Sequence, residues 1–319
     1  MVYNDKIKES HQKIFTINNT VPFFASSLNG LLFAPLELGS TRSKSTMTNI
    51  RGFKVIPHVY KTEGLKALWN GSGWFILANT TSRTIWLMSY DHLKYSLSRN
   101  KNEKLTNVEL MGAGFGAGAI TAFFSNPIWT LKSFANLPNY PGILYPINIP
   151  LSHFLKNPLK FYNEPTIKEY RNLSHSPKTL MSGTIPAIGY VATESMFQLF
   201  ILEKLKEFTK DYTNNLSPFN TGLFGGLLGG ISRIVILPVT FPLHVVTLRF
   251  REENKPILQD SSGIKSFIQN PNKQNVKQII SGIHKDRAWY AGIGPYTARV
   301  VPQASILFFM VEGFKALIK

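Results

Sequence analysis

No cysteine occurs in these 319 residues, which removes disulfide frameworks and cysteine metal sites. Acids are scarce as well: 18 Asp and Glu stand against 35 Lys and Arg, a formal charge of +17. Charged residues make up only 17% of the chain, low for a soluble protein, while aromatics reach 13%. No run of eighteen uninterrupted apolar residues exists, so a simple hydropathy reading finds no self-evident membrane span. The opening stretch MVYNDKIKESHQKIF is mixed in charge and lacks the apolar core of a secretory signal. Seven histidines fall at no metal-ligand spacing, and neither a nucleophile elbow nor a GxxxxGK(S/T) phosphate loop is present. The expectation is a protein without enzymatic chemistry, metal or cofactor. The excess of positive charge fits either a nucleic-acid surface or an anionic membrane with a positive path through it. Basic runs interleaved with aromatics, zinc fingers and RNA-recognition signatures are all missing, so nucleic acid is not expected as a partner.

What is present is an internal repeat. Gly71, Gly183 and Gly292 are each followed twenty residues later by an acid: Asp91, Glu203 and Glu312. Each acid is followed three residues on by Lys94, Lys206 or Lys315. An acid and a base coincide at two given places by chance in roughly 0.6% of trials, so two recurrences point to a threefold repeat. The boundaries fall near 19–100, 105–212 and 217–319, in one body spanning 1–319.

Periodicity and breakers give six apolar segments, near 19–40, 72–93, 107–131, 184–204, 219–247 and 293–314. Each is long enough to cross a bilayer as a helix, since about 20 residues suffice. The odd-numbered segments carry small residues four apart: Ser26 and Gly30, Gly114 and Gly118, Gly222, Gly226 and Gly230. Such strips let a neighbouring helix approach closely in a membrane bundle. Each odd segment also holds a proline near its C-terminal end, Pro35, Pro127 and Pro242, where a helix is expected to kink. The fold class that follows is all-α: six spanning helices in three repeats, joined on one side by short polar helices, the clearest within GFKVIPHVYKTEGLKALWNG.

These residues resemble the mitochondrial carrier family, whose repeat signature is Pro-x-(Asp/Glu)-x-x-(Lys/Arg)-x-(Lys/Arg). The copies here are PLELGSTR from Pro35, PIWTLKS from Pro127 and PLHVVTLR from Pro242. The downstream element survives as EGLKALWNG, and Arg-x-x-Pro stands as Arg299 and Pro302. The resemblance runs from about residue 22 to 317. It implies two gates across a central path. On the matrix side only Glu37 and Lys132 keep the pairing charges. The other acids have become Trp129 and His244, and the other bases Ser40 and Thr247. On the cytoplasmic side Asp91, Lys94, Glu203, Lys206, Glu312 and Lys315 form a complete set. Two lost bridges against three kept ones should favour a resting form closed toward the cytoplasm and open toward the matrix.

Charged groups at mid-membrane depth are costly unless paired or facing water, so each is a candidate. The contact position on the sixth helix is Arg299, and the same offset gives Ala78 and Tyr190, with Asn79 next in line. Arg83 and Glu194 lie four residues beyond Asn79 and Tyr190, on the same helical faces. Arg233 precedes His244 by eleven residues and shares its face. Three arginines and one acid imply an anionic ligand, phosphate or carboxylate, with Trp86 and Tyr190 offering faces to a planar base. The PIW variant resembles the family's branch for nucleotides, flavins, folate and pyridine-nucleotide cofactors. Carboxylates and amino acids stay open. WNG at 69–71 and YAG at 290–292 resemble the family's cardiolipin sites, while MSG at 181–183 departs from them. The resemblance implies exchange of an anionic metabolite by a monomer in the mitochondrial inner membrane, with peroxisomal and mitochondrial outer membranes as alternatives. Its rival is a degenerate carrier that serves as receptor, adaptor or scaffold.

Overall fold

The computed structural model describes residues 28–46, 49–97, 105–136, 168, 171–173, 175–209, 217–261, 264–269 and 274–318. The helices are α1 (Ala34–Lys44), α2 (Val55–Glu63), α3 (Ser72–Leu97), α4 (Asn107–Asn136), α5 (Pro177–Leu180), α6 (Thr184–Phe208), α7 (Pro218–Glu253), α8 (Val276–Lys285) and α9 (Ile293–Ile318). Five of the six expected spans start within a residue of these helices and end several residues short of them. Apolar character is needed only across the hydrocarbon, whereas helical hydrogen bonding runs on into the polar ends. Residues 19–27 of the first expected span lie outside the described residues. By length and apolarity α4, α6 and α7 are able to cross a membrane by themselves; α3 and α9 have 26 residues each and carry Arg83 and Arg299 in their interiors.

Contacts run α3 to α4, α4 to α6, α6 to α7, α7 to α9 and α9 to α1, and the ring is completed where Gly30 meets Ile76 of α3. The glycine strips lie at these seams. A Cβ on Gly118 would stand 2.7 Å from the Val191 carbonyl of α6, and one on Gly226 would stand 2.8 Å from the Ser305 carbonyl of α9.

The three glycines that mark the repeat share one backbone state. Gly71, Gly183 and Gly292 have φ of 75°, 71° and 80°, the left-handed region, each just before α3, α6 or α9. Each also abuts the odd helix of the next repeat in cyclic order. A Cβ would meet Asn136 of α4 from Gly71, Arg251 of α7 from Gly183, and the Ser40 carbonyl of α1 from Gly292. Glycine is thus required both for conformation and for space.

Proline acts in two ways. Pro35 sits in the first turn of α1, where a missing N–H costs nothing, after the helical turns of 28–32 are interrupted at Phe33. The Phe33 N–H still donates to Asn29 O at 3.0 Å, and the Glu37 N–H to Phe33 O at 3.0 Å, so the axis continues. Pro127 and Pro242 lie inside the continuous helices α4 and α7, joined in α7 by Pro238.

Polarity is arranged inside out. Along α7 the apolar Phe219, Leu223, Leu227, Ile234, Val235 and Val239 are exposed, while Ser232, Arg233, Thr240 and Thr247 are buried. That is the pattern of a helix facing lipid outward and a polar interior inward. At the proline end, two amphipathic caps cover the bundle. Val55 and Val59 of α2 pack against Leu38, and Ile279 and Ile283 of α8 pack against Phe241 and Val245. To this all-helical body the structure adds a small hairpin, β1 (Ile257–Ser261) and β2 (Ile264–Ile268), antiparallel with Ile257 opposite Ile268. Neither ILQDS nor IKSFI alternates apolar with polar residues, so the period-two signal of a strand is missing.

Candidate functional site

Inside the ring lies a cavity with about 1060 Å³ of empty space, its open mouth included. All six residues expected to contact a ligand, Asn79, Arg83, Tyr190, Glu194, Arg233 and Arg299, line it. So does Trp86. They come from α3, α6, α7 and α9, on the faces that these helices turn toward the cavity. Of the charged side chains on the wall, four are arginines (Arg83, Arg233, Arg251 and Arg299) and two are glutamates (Glu37 and Glu194).

The pairing among these groups is uneven. Glu194 is engaged by Arg233 in a buried ion pair between α6 and α7. Arg83 lies close enough to feel both partners electrostatically, repelled by Arg233 and attracted by Glu194, yet among the described residues it forms no ion pair. Tyr190 OH and Tyr296 OH are 2.6 Å apart, and the Tyr190 ring stacks on His244 at 4.7 Å and 6°. One face of Tyr190 is therefore occupied, contrary to its expected use as a free platform for a base. Trp86 stacks on Tyr90 at 5.4 Å, and its Nε1–H donates to Ser195 Oγ at 3.1 Å.

At the proline end the cavity has a floor. Glu37 is 3% exposed and serves two cations at once. Lys132 from α4 pairs with its Oε1, and Arg299 Nε from α9 lies 2.7 Å from its Oε2. Thr41 Oγ1–H donates to the same carboxylate at 3.2 Å and accepts from Lys132 Nζ at 3.1 Å. The Arg299 guanidinium also lies 4.8 Å from the Tyr296 ring and 5.3 Å from Phe75, and donates to Gln303 Oε1 at 2.6 Å. Three repeats thus meet on one carboxylate. A residue expected to await a ligand is already held by the gate.

Further contacts occupy the places of the lost bridges. Trp129 Nε1–H donates to Ser82 Oγ at 2.7 Å. Lys44 Nζ lies 3.4 Å from His244 Nδ1, and Arg251 donates to Asn126 Oδ1 at 2.9 Å. Below them Arg42 pairs with Glu63, and Glu252 accepts from Ser45 Oγ and from the Thr46 N–H at 3.1 Å. The expectation that this eroded end stands open is corrected: it is closed, by a denser set of buried polar contacts than the signature counts. Lys44 and Arg251 escaped the sequence reading although a signal existed. They stand one helical turn beyond Ser40 and Thr247, the positions where bases were missing.

The opposite end is different. Asp91 and Lys94 are exposed, and Glu203 and Lys206 are half-buried. The side chains of Glu312 and Lys315 lie outside the described part of the structure. For the lipid sites, Trp69 precedes Gly71 with its Nε1–H on Leu31 O at 3.1 Å, and Tyr290 precedes Gly292 with its hydroxyl on Pro238 O at 3.1 Å. Among the described residues no cluster of His, Asp and Glu is arranged to hold a metal.

The family model described as "Mitochondrial carrier protein" matches residues 18–101. The chloroplastic folate transporter 1 of Arabidopsis thaliana is 24% identical, covering 82% of this chain and 80% of its own length. The mitochondrial pyrimidine nucleotide transporter of Saccharomyces cerevisiae is 27% identical over 86% of this chain and 72% of its own length. The tricarboxylate transport protein of the same yeast is 24% identical over 91% and 93%.

Proposed function

We propose that this chain, which belongs to the mitochondrial carrier family, passes an anionic metabolite through its central cavity by alternating access, one solute exchanging for another. As a member of a family of carriers it is not an enzyme. The observation that carries the reading is Arg83, a guanidinium on the cavity wall with no ion-pair partner beside a Glu194–Arg233 pair that is already satisfied. A planar, permanently charged fork with free donors suits a phosphate or a carboxylate. Folate, pyrimidine nucleotides and tricarboxylates, named for the relatives, are all anions.

The gate supplies the coupling. Arg299 belongs both to the cavity wall and to Glu37. An anion that draws Arg299 away leaves Glu37 holding Lys132 alone, which weakens the seal between α1, α4 and α9. Only interactions that differ between the two states shift an equilibrium, and this one is present in one state and lost in the other. At the other end, Asp91, Lys94, Glu203, Lys206, Glu312 and Lys315 would close in turn. On this reading the proline end faces the matrix, one copy suffices, the membrane is the mitochondrial inner one, and cardiolipin sits at the starts of α3 and α9.

Proteoliposomes test the proposal. Labelled nucleotides, nucleotide cofactors, carboxylates and amino acids are offered outside, with and without the same compound inside. Uptake of an anion is expected, accelerated several-fold by internal solute. Empty and loaded vesicles that both take up nothing, across the whole panel, would instead favour a receptor or scaffold.

A further inference from the structure

At the cavity floor, cations are present where their counter-charges are not. Arg251 is 7% exposed and lines the cavity. Among the described residues its guanidinium meets only neutral acceptors, Asn126 Oδ1 at 2.9 Å and Ser133 Oγ at 3.4 Å, and its Nε–H has no partner. The Asn126 amide nitrogen is committed to Leu180 O, Ser182 O and Thr184 Oγ1, so its oxygen is fixed on the arginine. Lys44, 1% exposed, has His244 Nδ1 at 3.4 Å and the rings of Tyr296 and Phe241 at 4.8 and 5.3 Å. His244 itself lies in the field of four cations, Lys44, Lys132, Arg299 and Arg251. The carboxylate that serves this layer, Glu37, is already shared by two of them.

A buried lysine can escape such a site by shedding its proton. Arginine cannot. A guanidinium out of water with neutral acceptors and one idle donor needs an anion. The sequence has kept bases here, each moved one turn along its helix, while the facing acids became Trp129 and His244. We propose that the floor is an anion site bounded by Arg251, Thr247 and His244, with Lys44 behind the imidazole, and that it takes a small oxyanion, phosphate or carboxylate. It lies toward the proline end from the level of Arg83 and Arg233: the Cα atoms of Arg233 and Arg251 are about 27 Å apart along the rise of α7, and their long side chains line one cavity between them. The oxyanion is either a free ion or the far end of a solute whose near end meets Arg83. As a free ion it supplies the negative charge that the closed end lacks and tightens the seal; as the end of a solute it offsets part of what the seal loses when Arg299 is drawn to the ligand.

The test is thermal unfolding of the full chain in detergent, titrated with inorganic phosphate at constant ionic strength. Phosphate is expected to raise the melting temperature of the wild type, and equally that of Arg83→Gln, by about 3 °C or more at saturation. Arg251→Gln should lose that rise. His244→Glu places a carboxylate beside Lys44; it should melt higher without phosphate and respond to it little, which keeps the test decisive if Arg251→Gln does not fold. ADP then separates the sources: phosphate displaced by ADP marks the floor as holding part of a solute, and phosphate that stays marks a free ion. No rise in the wild type, or a rise undiminished in both Arg251→Gln and His244→Glu, overturns the proposal. The readout needs no transport, so absence of uptake in liposomes would leave this site standing, and absence of the rise would leave transport standing.

Discussion

Glu37→Gln is expected to lower stability more than any other neutral substitution on the cavity wall, by about 3–5 kcal/mol in thermal or denaturant unfolding. One change strands two buried cations, because Lys132 and Arg299 both depend on that carboxylate and both are nearly inaccessible. Removing one partner of a buried pair costs the desolvation of the group left behind, and here that cost is incurred twice. Arg299→Gln is the control. It leaves Glu37 with Lys132 and Thr41, so its loss should be clearly smaller. Equal effects from the two substitutions would mean that the carboxylate is not shared as described. A melting temperature within a degree of wild type for Glu37→Gln would remove the gate from the account.

Arg83→Gln is expected to cut solute exchange about 100-fold or more while leaving the melting temperature unchanged or raised. Truncating a charged group that meets a buried counter-charge costs about 2–5 kcal/mol of binding, and 1.4 kcal/mol is a factor of ten. The unliganded protein gains little from Arg83 in return, since among the described residues this side chain has no ion pair and its attraction to Glu194 is opposed by Arg233. Arg83→Lys should retain part of the activity, as a point charge attracts an anion without the bidentate fork. Arg233→Gln is the contrast, because it unpairs Glu194 and should cost stability as well as exchange. Exchange by Arg83→Gln at the wild-type rate would place the ligand elsewhere.

Much of this was legible in the chain, and particular residues say why. Gly71, Gly183 and Gly292 gave the repeat because a left-handed turn pressed against the neighbouring repeat tolerates nothing else, so the ruler is a backbone requirement. Asn79, Arg83, Tyr190, Glu194, Arg233 and Arg299 were legible as one set because helical periodicity fixes which way a side chain points once its helix is placed. Pairing was not legible. Whether Arg299 waits for a ligand or rests on Glu37 depends on side-chain reach across the ring, which no spacing encodes. Counting signature charges likewise misjudged the closed end. The cations had moved a turn to Lys44 and Arg251, and the neutral partners Asn126 and Ser133 took up contacts with Arg251 that the signature assigns to acids. The hairpin at 257–268 was invisible for a simpler reason: neither of its strands alternates apolar with polar residues.

A chain without cysteine is a ready background for single-cysteine labelling, and the most direct measurement uses Asn79→Cys on the cavity wall. The unliganded protein, oriented in vesicles, is treated with a membrane-impermeant thiol reagent from one side at a time. Modification is expected from the side of Asp91 and Lys94, with none from the proline end sealed by Glu37, Lys132 and Arg299, and an anion that binds the cavity should slow the reaction. Labelling from the proline end alone, or no labelling from either side, would contradict a water-filled path closed at that floor.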